Sequence, residues 1–385
     1  MGCTESKEVD VGSKPELDEN GNLKPSEVAK RRTKGKISDV PVVKNYNGDK
    51  NSMLVMDIAT CSQRGWYPSD IHKPNQDSHG ITVFTSASND AQVADDVHLA
   101  IYDGHGPAGE KFARYAKKNM PNLIQKYLKE ARLKRDGESN ADSTSKREIL
   151  KSADYEKALT KAHLECNDTM INTMREVHLS GTTAIGVTIH DGNLIISNVG
   201  DSRAIIGCQD PEDSTSAVTA KPLSHDQTPE REDERSRVTK YGGRVMSMQE
   251  VMMGGTNDMI KEGEDQSPLR VWLNYRHLAG VAFTRSLGDA IAEKSGVNGE
   301  PETDVKPIID EDKILVLASD GVFEFIENQA VIDLCVESKS PEDACAKIVD
   351  LSYQQWLEND ERTDDITVIV GFLRKVEGSE ELDGS

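Results

Sequence analysis

The sequence predicts an α+β layered fold, and three observations carry that reading. Short apolar runs ending in turn residues read as buried strands over 97–103 (VHLAIYD), 182–190, 193–201, 313–320 and 365–372. Asp191-Gly192 separates the second run from the third, a hairpin signal that favours antiparallel neighbours. Strands follow strands and helical stretches follow helical stretches, which argues against an alternating, doubly wound parallel sheet.

The helical stretches are 108–119 and 121–135, set apart by Pro121, then 147–177, 229–241, 328–337 and 341–357. Asn328 and the run Ser340-Pro341-Glu342-Asp343 supply N-terminal starts for the last two. Polar stretches at 136–146 and 209–217 read as surface loops, and no fixed-period repeat is visible. Polar residues rich in Gly, Pro, Lys and Glu predict a flexible N-terminal arm over 1–48. The folded domain is expected over 49–375, with an acidic tail at 376–385.

The chain has 385 residues with 46 Lys and Arg against 67 Asp and Glu, a net charge of −21. Such a surface repels phosphate backbones, so a nucleic-acid binder is excluded as an expectation. No apolar run approaches the ~20 residues of a membrane helix, and the first residues lack the apolar core of a secretory signal. The six cysteines form no C-x-x-C pair, which fits reduced cytosolic thiols better than a zinc site or a disulfide framework. The opening Met-Gly-Cys-Thr-Glu-Ser matches an N-myristoylation pattern at Gly2, with Cys3 open to palmitoylation. One acyl chain anchors only marginally, so Cys3 or the basic run Lys30, Arg31, Arg32, Lys34 and Lys36 is expected to add the second signal. Those features predict association with the cytoplasmic face of a membrane, and the chain is expected to be a monomer.

Carboxylates fall at strand ends. Asp103 follows VHLAIY, Asp201 follows NLIISNVG, Asp320 follows KILVLAS, and Asp364-Asp365 precedes ITVIV. A carboxylate beside a buried strand is costly to desolvate unless it meets a cation or donors. Converging oxygen ligands with few His or Cys favour Mg²⁺ or Mn²⁺. Gly104-His-Gly-Pro-Ala-Gly109 also satisfies G-x-G-x-x-G, but Asp103 would repel a pyrophosphate, and no second strand ends in an acid near the required spacing.

The motifs DGHG (103–106), SGTTA (180–184), GDSRA (200–204), DQTP (226–229), FTRSLGD (283–289), ASDGVFE (318–324) and TDDITV (363–368) occur in that order. Over roughly 51–373 the chain resembles the type 2C, metal-dependent Ser/Thr protein phosphatases. The resemblance implies two antiparallel β-sheets forming a central sandwich flanked by α-helices, with two Mg²⁺ or Mn²⁺ ions at one edge. It implies Asp103 as the bridging carboxylate, Gly104 as a carbonyl ligand, Asp320 and Asp364 as further ligands, and Asp77 as the acid of the N-terminal motif. It implies His105 as general acid and Asp201 as an acid that helps hold water near the site.

Gln76 stands where the family has Glu, and Glu324 where many members have the Asp of an additional, third metal. The register of the family's phosphate-gripping Arg holds His72, so Lys73 beside it is expected to bind phosphate as a point charge. Five of eleven methionines (Met246, Met248, Met252, Met253 and Met259) fall in the family's variable flap. The expected activity is metal-dependent hydrolysis of phosphoserine and phosphothreonine in phosphoprotein substrates. The alternatives are a catalytically weak or dead scaffold of the same fold, and a hydrolase of another phosphoester such as a nucleotide.

Overall fold

The computed structural model describes residues 16–17, 23–44, 52–84, 96–138, 150–210, 217–252, 268–273 and 279–377. Six strands form one sheet in the order Arg32–Lys44, Ser52–Gln63, Ile366–Glu377, Asp312–Ala318, Arg203–Cys208, Thr219–Pro222. A second sheet runs Leu287–Gly288, Gly181–Thr182, Asp96–His105, Ala184–His190, Asn193–Val199, Glu302–Pro307, with Asp77–Phe84 also paired to Asp96–His105. Neighbouring strands in both sheets pair antiparallel, and the hairpin at Asp191-Gly192 is present, with both residues at positive φ.

Between the sheets lies an aliphatic layer that includes Met56, Ile58, Leu99, Ile101, Val187, Ile196, Leu315, Leu317 and Ile369. Helices Gly109–Glu138 and Ser152–Thr173 cover the second sheet through Phe112, Met120, Ile124, Tyr155, Leu159 and Met170. Helices Asn328–Val336 and Pro341–Asn359 cover the first through Val331, Ile332, Ile348, Val349 and Trp356. The central strands are therefore buried on both faces, which is why they read as continuous apolar runs rather than alternating ones. The result is the expected α+β sandwich of two antiparallel sheets between helical layers.

Three expectations need correction. Pro121 lies inside one continuous helix, Gly109–Glu138. It removes one backbone donor, and the burial of Met120 and Ile124 on either side holds the helix through it. The N-terminal arm is ordered well before residue 48: Pro25–Lys30 is a helix, and Arg32–Lys44 pairs along the length of Ser52–Gln63 at the sheet edge. Four of the five basic residues there have partners within the fold, and Arg31 alone is buried. Arg31 is buried with its guanidinium 5.4 Å from the Trp66 ring centre, Lys30 meets Glu27, Arg32 meets Asp350, and Lys36 meets Glu342. The last strand also reaches Glu377, past the expected start of the tail. Cys61, Cys166, Cys208, Cys335 and Cys345 are buried and free. Gly2, Cys3, Met253 and Met259 lie outside the described residues, and among the described residues no helix is long and apolar enough to cross a membrane.

Candidate active site

Sheet pairing alone brings the carboxylates together. Asp77 and Asp103 are opposite one another in the ladder between Asp77–Phe84 and Asp96–His105, which sets their Cβ atoms ~5 Å apart. In the other sheet, Asp312–Ala318 ends where Ile366–Glu377 begins, so Asp320 and Asp364 meet at the same edge. Asp201 comes from the turn between Asn193–Val199 and Arg203–Cys208. Asp103, Asp201 and Asp320 line a cavity of about 360 Å³ together with His105, Arg270, Phe283 and Asp289.

Burial is the main force on these groups, and neighbouring carboxylates add to it. Desolvation, then Asp77, Asp320 and Asp364, push Asp103 well above the usual carboxylate range. Desolvation, then Asp201 and Asp364, do the same to Asp320. Asp77 and Asp201 are both pushed up to about 7, again chiefly by burial. Asp77 Oδ2 accepts from Ser319 Oγ at 3.0 Å, while its buried Oδ1 has no hydrogen-bond partner. An orphaned carboxylate oxygen among mutually repelling acids is the donor set that a hard divalent cation satisfies. The residues present therefore fit Mg²⁺ or Mn²⁺.

Gly104 has no room for a side chain: a Cβ would lie 2.3 Å from the Gly109 carbonyl oxygen and 2.6 Å from that of Gln76. Its amide donates to the Gln76 carbonyl at 3.2 Å. The Gln76 side chain is turned to a structural task, with Nε2 donating to the Gly106 carbonyl at 2.8 Å. Glu324 caps the short helix Asp320–Phe323 and is exposed near Arg270 and Arg362. Lys73 stands with Nζ 3.6 Å from the centre of the Tyr67 ring, and Tyr67 donates its hydroxyl proton to Asp364.

Several residues of the site carried no role in the sequence reading. Asp289 pairs with His105 Nε2 at 2.5 Å and accepts from Ser286 Oγ at 2.8 Å. A Cβ on Gly181 would fall 2.2 Å from the Asp289 carboxylate, so the pair is tightly walled. Asp365 accepts from the Gly65 amide at 2.7 Å and the Gln76 amide at 2.8 Å, pinning the loop that leads to Asp77. Asp289 sits in the FTRSLGD motif and Asp365 in TDDITV, yet their partners lie 184 and ~300 residues away, a proximity only the fold reveals.

A second acidic group, Asp233, Glu234 and Glu302, also has convergent oxygens. Arg231 bonds Asp233 and Glu302, while Arg237 and Arg285 bond Glu234 at 2.6 and 2.8 Å. Against the cost of burial, those two arginines hold Glu234 well below the usual range. Its charge is already neutralised, so it is a structural network rather than a cation site.

Strand ends that gather carboxylates in a cleft at one edge define the class: an α–β–β–α sandwich with an acidic centre. The family model described as Protein phosphatase 2C matches residues 69–360. Probable protein phosphatase 2C 35 of Arabidopsis thaliana is 33% identical across 98% of this chain and 99% of its own. Probable protein phosphatase 2C 52 of the same plant is 29% identical over 71% of this chain, which spans 58% of that relative's length. Among solved structures, a serine-threonine phosphatase 2C from Toxoplasma gondii superposes with a TM-score of 0.62 at 13% identity, covering 89% of this chain and 99% of that one. At that identity the likeness shows the fold alone. The chain belongs to the protein phosphatase 2C family.

Proposed function

We propose that this protein hydrolyses phosphoserine and phosphothreonine in phosphoproteins, using two Mg²⁺ or Mn²⁺ ions. The observation that carries the reading is the convergence of Asp77, Asp103, Asp320 and Asp364 from four separate strand ends, with one buried oxygen of Asp77 left unpartnered. Asp103, the Gly104 carbonyl, Asp320, Asp364 and Asp77 would hold the ions, and Glu324 would reach a third. When bound, such ions lower the pKa of water and neutralise the phosphoryl charge, which this chain at −21 needs more than most.

The chain's own side chains do the rest. His105, held by Asp289 and packed 4.3 Å from the Phe283 ring, protonates the departing serine or threonine oxygen. Asp289 fixes the orientation of the ring. Asp201, half-buried on the cavity wall, accepts a hydrogen bond from water and orients it. Lys73 adds positive charge at the rim. Gln76 is assigned a structural role instead of a place among the ligands, because its amide is committed to Gly106. From Met-Gly-Cys-Thr-Glu-Ser we also propose acylation at Gly2 and Cys3 and residence at the cytoplasmic face of a membrane. With the basic run largely paired, Cys3 would supply the second anchor.

Purified protein is expected to dephosphorylate a phosphothreonine peptide with Mn²⁺ and to lose that activity in EDTA. Activity that survives chelation overturns the metal mechanism. Mn²⁺ binding without turnover of any phosphopeptide points to a scaffold.

A further inference from the structure

The loop before Asp77 holds one arginine, Arg64, whose Nη2 donates to the Ile71 carbonyl at 2.8 Å within the same loop, and two further guanidinium groups stand beside the carboxylates. Arg270, on the short strand Leu269–Trp272, lines the cavity together with Asp103, Asp201 and Asp320. Its Nη1 donates to the Gly280 carbonyl at 2.8 Å, which fixes the side chain, and among the described residues its other N–H groups meet no further acceptor. Arg362 comes from a different part of the chain, two residues before Asp364. Its guanidinium carbon lies 5.9 Å from the centre of the Tyr67 ring, whose hydroxyl bonds Asp364, and its Nε is 3.4 Å from Asp360. Burial and then the Arg362 charge hold Arg270 below the usual arginine range, so the two cations repel one another.

Cations held beside an acidic centre, Arg270 by Asp103, Asp201 and Asp320 and Arg362 by way of Tyr67 and Asp364, are stabilised when a phosphate anion enters. A phosphate monoester dianion suits two planar forks, each able to offer paired N–H donors, better than it suits the single ammonium of Lys73. We propose that Arg270 and Arg362 together grip the substrate phosphoryl group, a task for which His72 stands at the register where the family has an arginine. This assignment rests on the phosphatase reading above and adds its substrate-binding residues.

The test compares wild type with Arg270→Ala, Arg270→Lys, Arg362→Ala and Lys73→Ala. Three quantities are read: KM and kcat for a phosphothreonine peptide in saturating Mn²⁺, calorimetric affinity for inorganic phosphate in Mn²⁺-loaded protein, and calorimetric affinity for Mn²⁺ itself. Each arginine-to-alanine change is expected to weaken both KM and phosphate affinity roughly tenfold or more. The lysine replacement should recover only part, Lys73→Ala should cost less than either, and Mn²⁺ affinity should hold within about twofold. Unchanged KM and phosphate affinity in both alanine variants would overturn the assignment, as would a loss of Mn²⁺ affinity large enough to explain the whole effect. So would a KM effect confined to peptides with acidic flanks, with inorganic phosphate binding intact. A wild type that binds Mn²⁺ and phosphate but turns over no phosphopeptide fails the phosphatase reading instead, and the phosphate affinities of the variants still decide the role of the pair.

Discussion

Replacing Asp77 with Asn should stabilise the metal-free protein while destroying its response to metal. Asp77 is 8% exposed, and burial, followed by the charges of Asp320 and Asp364, raises its carboxyl from 3.8 to about 7. At 1.36 kcal/mol per pKa unit, ionising it in the folded chain costs ~4 kcal/mol. Because neighbouring acids share that strain, ~2–4 kcal/mol is the expected gain for the neutral variant at pH 8. Asn keeps an oxygen that accepts from Ser319, so the local hydrogen bond survives. For a group whose pKa is raised on folding, stability is complete below the unfolded value and is lost as pH rises through the folded one. The advantage of the variant should therefore be largest at pH 8 and shrink towards pH 5. Differential scanning calorimetry in EDTA should show the variant melting about 5 °C higher at pH 8. Adding Mn²⁺ should reverse the order, since only wild type gains the linkage energy of tight binding. A variant that melts below wild type in EDTA at pH 8 would refute the reasoning.

Four further outcomes follow from the same geometry. His105→Ala should cut kcat for a phosphothreonine peptide ~100-fold or more but spare p-nitrophenyl phosphate, whose leaving group needs no proton. Asp289→Asn, which removes the partner that orients the ring, should lower kcat for the peptide more than for p-nitrophenyl phosphate, and equal losses on both substrates would refute the acid role. His163 is buried neutral, and desolvation pushes its imidazole down to about 4. Stability is therefore complete above ~6.5 and lost as pH falls towards 4, so the melting deficit of His163→Gln should narrow between pH 7 and 5. A constant deficit would contradict that. Deleting residues 1–44 removes the edge strand and the Arg31–Trp66 contact, and the shortened chain should melt several degrees lower or precipitate. An unchanged melting temperature would mean the segment is dispensable to the fold.

Legibility in the sequence followed burial. Strands covered on both faces, such as Asp96–His105 and Asp312–Ala318, announce themselves as unbroken apolar runs. The edge strand Arg32–Lys44 carries Lys, Arg and Asp because one side meets water, and it was legible only as a polar arm. Asp77–Phe84 was passed over for a related reason, since most of its residues are only half-buried. Pro121 reads locally as a break, but helix packing outweighs one lost hydrogen bond. In the site, Asp103, Asp320 and Asp364 stood out because a carboxylate against an apolar run is conspicuous. Asp289 and Arg270 carry no local signal of a role, since their roles come from partners far away in the chain. The ion pairs of the basic run at 30–36 were hidden for the same reason: the acids that meet Arg32 and Lys36, Asp350 and Glu342, lie more than 300 residues on.

The most direct measurement is anomalous diffraction from crystals of the full chain soaked in Mn²⁺. Two peaks are predicted within coordination distance (~2.0–2.3 Å) of oxygens from Asp103, Gly104, Asp320, Asp364 and Asp77. Manganese bound only at Asp233, Glu234 and Glu302, or no density beside Asp103 at saturating metal, would contradict the account.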